Sequence, residues 1–296
     1  MQFINPKTDF AFKRIFGSNK SKDILVSFLN ALVYDGRKEI QSLEILDPYL
    51  APQIRGMKDT FVDVRAVLQG GTTVIIEMQV LNVEGFEKRI LYNAAKTYSS
   101  QLPVGEDYSL LNPVIALTIT DFVMFEQYPQ HVSRYILKER NLLMDYPMYD
   151  VELVFVELPK FTAALKELES LSDKWLYFLR HAKDLSVVPP NLKKVKEINK
   201  AFETAKEANL TKKELDIQER KEIFIHDQRN AIVKATKIGL EQGRKQGRKQ
   251  GREEGREEGV IMVAINLLDV LDDETISKKT GLSVEQVKEL RREHRT

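Results

Sequence analysis

The chain has 296 residues, with 45 basic and 44 acidic side chains and a formal charge of +1. That length holds a sizeable core plus appendages, and the balanced charge excludes a global field drawing the protein onto nucleic acid or a membrane, so such contacts rest on local basic patches. Cysteine is absent, which excludes disulfides and thiolate zinc sites; with no basic-then-apolar leader and no apolar run near the roughly 20 residues that span a bilayer, a cytoplasmic protein without membrane contact is expected.

Residues 8 to 34 read as helical: Thr8 or Asp9 caps a turn whose Phe12, Ile15 and Phe16 share a face, and Ile24, Leu25, Phe28, Leu29 and Leu32 repeat that spacing. An extended run from Ile40 to Leu46 stops at Asp47-Pro48, because a residue before proline avoids helix. TFVDVRAVLQ and TTVIIEMQVL, rich in β-branched residues, flank Gly70-Gly71 and predict a hairpin. From Glu84 to Leu102 the period is helical, with Phe86, Ile90, Ala94 and Tyr98 on one stripe and Arg89, Tyr92 and Lys96 on another, closed by Pro103 and Gly105. NPVIALTIT, residues 132 to 137 and YDVELVFVEL are further extended runs, and only helical patterns follow Pro159, with Trp175 to Leu179 as an apolar knot. The order is that of an α/β domain over residues 1–160, followed by a helical extension over 161–238.

Thr211 and Glu214 have capping-box spacing at the start of a long charged helix. Residues 239–259 then repeat glycine every four positions, either as a charged self-association helix or as a flexible tether, and residues 260–296 form a small helical module. A homodimer through this C-terminal segment is expected under the first reading, since GRKQGRKQ is basic and GREEGREE net acidic and an antiparallel pair would oppose them. Two capped helices around Gly281 fit either a helix-turn-helix or a plain packing module.

The hairpin carries the chemistry. Alternation places Val62, Val64, Ala66 and Leu68 on one face and Asp63 with Arg65 on the other; on the partner strand Val74, Ile76, Met78 and Val80 oppose Glu77 and Gln79. A Gly70-Gly71 loop would pair Val64 with Glu77 and misalign both apolar sets. A three-residue loop, Gln69-Gly70-Gly71 with the last glycine left-handed, pairs Val64 with Ile76 and Asp63 with Glu77; a bulge near Asp63 restores the same parity. Two facing carboxylates repel unless a cation sits between them, and hard divalent ions choose such oxygens, although an edge hairpin also carries acids on its wet side.

TDFAFKRIFG, GMKDTFVDV, IIEMQV and KRILYNAAKTYSSQL, in that order, resemble the Rpn group of recombination-promoting nucleases, also described as transposases, within the PD-(D/E)XK superfamily. The resemblance covers about residues 5 to 120. It implies a restriction-endonuclease-like mixed sheet flanked by helices, and hydrolysis of phosphodiester bonds in DNA with Mg2+ or Mn2+. It also implies a link to recombination or to defence against foreign DNA. Asp63 and Glu77 would hold the metal, with Gln79 completing the cluster. Val62 stands where the superfamily name has proline and Gln79 where it has lysine, so positive charge at the transition state must come from the metal or another cation. Lys13, Arg89 and Lys96 are the candidates, each also readable as part of a solvated helix face; Asp9 is a first-helix acid of the site or simply a cap. A weak or inactive DNA-binding relative is the alternative, and the compact D-x13-E-x-Q spacing argues against an RNase H-like transposase. Scattered His131, His181, His226 and His294, and the lack of a phosphate-binding glycine loop, point to neither zinc nor a nucleotide cofactor.

Overall fold

The computed structural model describes residues 2–50 and 59–294, so Gly56, Met57 and Lys58 of the GMKDTFVDV segment lie outside the described residues. Two compact units divide the chain, residues 1–228 and 229–296.

The first unit is built on a six-stranded mixed sheet. Its strands are β1 (Leu43–Leu46), β4 (Val64–Leu68), β5 (Thr73–Gln79), β6 (Val114–Thr120), β7 (Val132–Tyr135) and β8 (Val151–Glu157), in the spatial order β1-β4-β5-β6-β8-β7. Pairing is antiparallel across β1-β4-β5, parallel across β5-β6-β8 and antiparallel again to β7. A separate two-stranded ribbon, β2 (Tyr49–Leu50) with β3 (Thr60–Phe61), was not expected. All seven positions of β6 are buried, as a central parallel strand covered on both faces requires.

One face of the sheet presents Val64, Ala66, Val74, Ile76 and Met78 to α1 (Asp9–Phe16), α2 (Lys22–Leu32), α4 (Leu171–His181) and, after the short α5 (Pro190–Lys193), α6 (Lys196–Ala205). Phe12, Phe16, Phe28 and Trp175 meet there, so the apolar knot after Pro159 packs into the same core as the first helices. The other face presents Ile75, Ala116 and Phe155 to Phe86, Ile90 and Ala94 of α3 (Phe86–Ser99), the crossover between β5 and β6. Thr8 caps α1 by accepting the Ala11 N–H, and its hydroxyl donates to Gln218 at the start of α7 (Lys212–Leu267).

The hairpin loop is Gln69-Gly70-Gly71: the Leu68 N–H donates to the Thr72 carbonyl, Val64 pairs with Ile76, and Gly71 has φ +92°. Flat opposition of Asp63 and Glu77 is corrected. The Asp63 N–H donates to the carbonyl of Ile76, the partner of Val64, so two residues oppose one and a bulge sits at Asp63. Alternation slips there. Val62 consequently packs with Ile75 and Phe86 rather than with Val64, and the expected single strand divides into β3 and β4.

In the second unit, α7 stays helical through Gly239 to Gly259, where every residue is exposed. Ala264, Leu268, Ile276 and Val287 form a small core with α8 (Asp273–Thr280) and α9 (Val284–Glu293). Arg291 pins this core by donating to Asp273 and to the Leu271 carbonyl. Among the described residues, no helix is long and apolar enough to cross a membrane.

Candidate active site

Asp63 lies where the strand pairing of β4 and β5 opens. Its Oδ2 accepts the Met78 N–H at 2.8 Å, supplying a partner that the interrupted ladder would otherwise deny, and Oδ1 stands 3.4 Å from Nζ of Lys13. Burial pushes the Asp63 carboxyl up from 3.8 to about 6; the Met78 N–H and Lys13 oppose that rise, while the negative charges of Asp9 and Glu77 add to it.

Glu77, on central strand β5, is buried beneath α3. Asn93 Nδ2 donates to its Oε1 at 2.6 Å, and Arg89 Nη2 donates to its Oε2 at 3.2 Å. The same Arg89 nitrogen donates to Gln79 Oε1 at 2.9 Å, and Gln79 Nε2 donates to the Leu81 carbonyl at 2.8 Å. One helical turn of α3 therefore grips both polar residues of the E-x-Q strand, since positions four apart share a helix face. The Arg89 guanidinium lies over the Phe86 ring, at 5.0 Å from its centroid, and borders an open cleft of about 410 Å³ lined also by Thr60, Lys88 and Tyr92. A larger cleft of about 580 Å³ beside α2 and β1 holds none of the expected site residues.

The remaining expected residues separate. Lys13 and Arg89 face the two acids. Lys96, expected either as a cation of the site or on a solvated helix face, is buried, and its ammonium donates to the Leu50 carbonyl at 2.7 Å and to Thr60 Oγ1. It thus ties α3 to the β2–β3 ribbon. Asp9 does not cap α1; its carboxylate pairs with Lys221 at 3.4 Å while contributing charge near Asp63. Asn93 was missed in the sequence. Its signal was position: four residues after Arg89, on the helix face that meets Glu77.

The donor set can be tested against a divalent ion. Among the described residues, no group of three or more His, Cys, Asp or Glu side chains gathers as a metal site. The charge of Glu77 is nevertheless felt at Asp63, and Mg2+ characteristically takes one or two carboxylates while keeping several waters. The residues present fit such an ion.

The sequence model of PD-(D/E)XK nuclease family transposases matches residues 6–235. The chain belongs to this family. A mixed sheet flanked by helices, with acids at the opening of a central hairpin, accords with the PD-(D/E)XK fold, and a nuclease-like function goes with the family. No curated protein and no solved structure matches the chain.

Proposed function

We propose that the protein is a DNA endonuclease dependent on Mg2+ or Mn2+, acting in recombination or in defence against foreign DNA in the cytoplasm. The observation that carries this reading is the crowding of negative charge at Asp63, a largely buried carboxyl whose ionised form is disfavoured by burial and by Asp9 and Glu77. A cation relieves that arrangement. Asp63 and Glu77 would hold the metal, which when bound supplies a water of lowered pKa and an electrophilic contact for the phosphate. Arg89 contributes the positive charge that Gln79 lacks and aligns the Gln79 amide through its 2.9 Å hydrogen bond. Lys13 stands on the far side of Asp63, where it neutralises charge and meets the DNA backbone. Residues 1–160 form the nuclease core in this reading, 161–238 its helical extension, and 239–259 and 260–296 separable C-terminal parts. Incubation of the purified protein with supercoiled plasmid and Mg2+, with and without EDTA, tests it: nicked or linear product lost with EDTA is expected, and intact plasmid in both lanes would refute it.

A second reading is favoured by the pairing of each acid with a cation of its own chain, Lys13 with Asp63 and Arg89 with Glu77. Such internal neutralisation suits a DNA-binding relative that does not cleave. Retention of DNA in a mobility-shift assay without cleavage under any divalent ion would select it.

A further inference from the structure

The inner side of the Glu77 carboxylate is held by a residue that is an unfavourable choice for its position. Asn93 is 1% exposed, lies between Ile90 and Ala94 within a helix, and strands its own Oδ1, which is buried and finds no partner. Asparagine is a poor helix former, and a buried acceptor left without a donor is destabilising. Leucine, with the same branching and number of side-chain heavy atoms, carries neither penalty. Both penalties have one compensation in the structure, the 2.6 Å hydrogen bond from Nδ2 to Glu77 Oε1, which also dictates the amide orientation because the reverse would set a carbonyl oxygen against a carboxylate.

The two partners of Glu77 differ in kind. Asn93 is neutral and sealed in the core, whereas Arg89 is charged, with a side chain 43% exposed, and approaches Oε2 at the longer distance of 3.2 Å. We propose that Asn93 is a positioning residue: it holds Glu77 Oε1 permanently and so presents Oε2 to a divalent cation, which exchanges with Arg89 rather than with Asn93. Arg89 keeps its hydrogen bond to Gln79 when it yields Oε2. The proposal rests on Asp63 and Glu77 being the metal-binding pair. Partners that orient a ligand in this way typically change metal affinity by about 10- to 100-fold when removed.

Titration calorimetry of Mn2+ into the full-length protein without DNA tests it, comparing wild type, Glu77→Gln and Asn93→Leu, with a thermal melt of each. Binding by wild type, its loss in Glu77→Gln, and about 10- to 100-fold weaker binding in Asn93→Leu with a cooperative melt retained are expected. Wild-type affinity in Asn93→Leu would overturn the positioning role alone. Equal binding by wild type and Glu77→Gln, or none by wild type, would overturn the metal-binding pair and the proposal with it. Should Asn93→Leu fail to fold, Asn93→Ala, which only removes atoms, takes its place; weakened binding with a cooperative melt retained would support the proposal there, and wild-type affinity would overturn it.

Discussion

Asp63 Oδ2 accepts the Met78 N–H at 2.8 Å, and this bond joins the bulge of one hairpin strand to the outgoing end of the other. Asp63 therefore has a backbone duty and, on the proposed reading, a chemical one, and substitutions separate them. Asparagine keeps an oxygen for Met78 and loses the charge; alanine loses both. Both variants, and Glu77→Gln, are expected to lower Mg2+-dependent plasmid cleavage at least about a hundredfold, the loss of several kcal/mol of charge stabilisation. Asp63→Ala should be less stable than Asp63→Asn, by about 1–3 kcal/mol in urea melts, because a buried N–H is left without its acceptor.

The raised Asp63 value sets a pH dependence with a definite sign. Its folded value of about 6 lies above the ordinary 3.8, so the folded protein holds this proton more tightly than the unfolded chain. Stability from this group is complete below about pH 4 and is lost as pH rises through 6, an amount on the order of 3 kcal/mol for a carboxyl this buried. Metal-free Asp63→Asn should therefore be more stable than wild type at pH 8 and equal to it near pH 4 by thermal melting. Cleavage requires the ionised form, so kcat/KM should fall below about pH 6 with a one-proton slope.

Arg89→Ala removes the charge bridging Glu77 and Gln79. Steady-state cleavage should show kcat lowered about 10²- to 10³-fold, the usual effect of deleting one donor to developing negative charge. Gln79→Ala should lose less, since the guanidinium remains. A larger defect in Gln79→Ala would contradict this division of roles.

The two loop glycines should respond unequally to alanine. Both have positive φ, but a Cβ on Gly70 meets open space, whereas on Gly71 it would lie 2.2 Å from Asn112 Oδ1. Asn112 is also engaged by Gln101, whose amide oxygen accepts the Asn112 N–H. Gly70→Ala should lose only the left-handed strain, about 1–2 kcal/mol, and Gly71→Ala distinctly more, as chemical denaturation would reveal.

The glycine repeat of α7 leads to a test of self-association. Six glycines, each with nothing within 4 Å of a built Cβ, lie along an exposed helix, and each disfavours helix by about 1 kcal/mol relative to alanine. On the self-association reading, light scattering should give a higher oligomeric state for the full chain than for one ending at Leu240. Equal oligomeric states would remove the segment and the following module as a contact.

Much of the site was legible because parity is strict in strands. Core burial of Val64, Ile76 and Met78 demands one register, and that register selects the Gln69-Gly70-Gly71 loop over the two-residue turn. The bulge was legible only as an option, because the side chain of Val62 is apolar and suits either face of the sheet. The burial of Lys96 was not legible, because it depends on the Leu50 carbonyl, distant in sequence. The one sign of Asn93, its place four residues after Arg89, becomes informative only when the carboxylate beneath that helix face is known. The continuity of α7 through the glycines was left open, as composition there supports a helix and a tether alike.

The hairpin and the helix after it carry Asp63, Glu77, Gln79, Arg89 and Asn93 in one unbroken stretch, and β5 and β6 hold that helix between them. Short loops close at little entropic expense, so these groups can find one another early in folding, before distant segments dock. Lys13 comes from the far end of the unit and reaches Asp63 only when α1 settles onto the sheet. The acids and their helical clamp are thus inherited as one contiguous block of sequence, while the cation facing Asp63 depends on completion of the whole first unit.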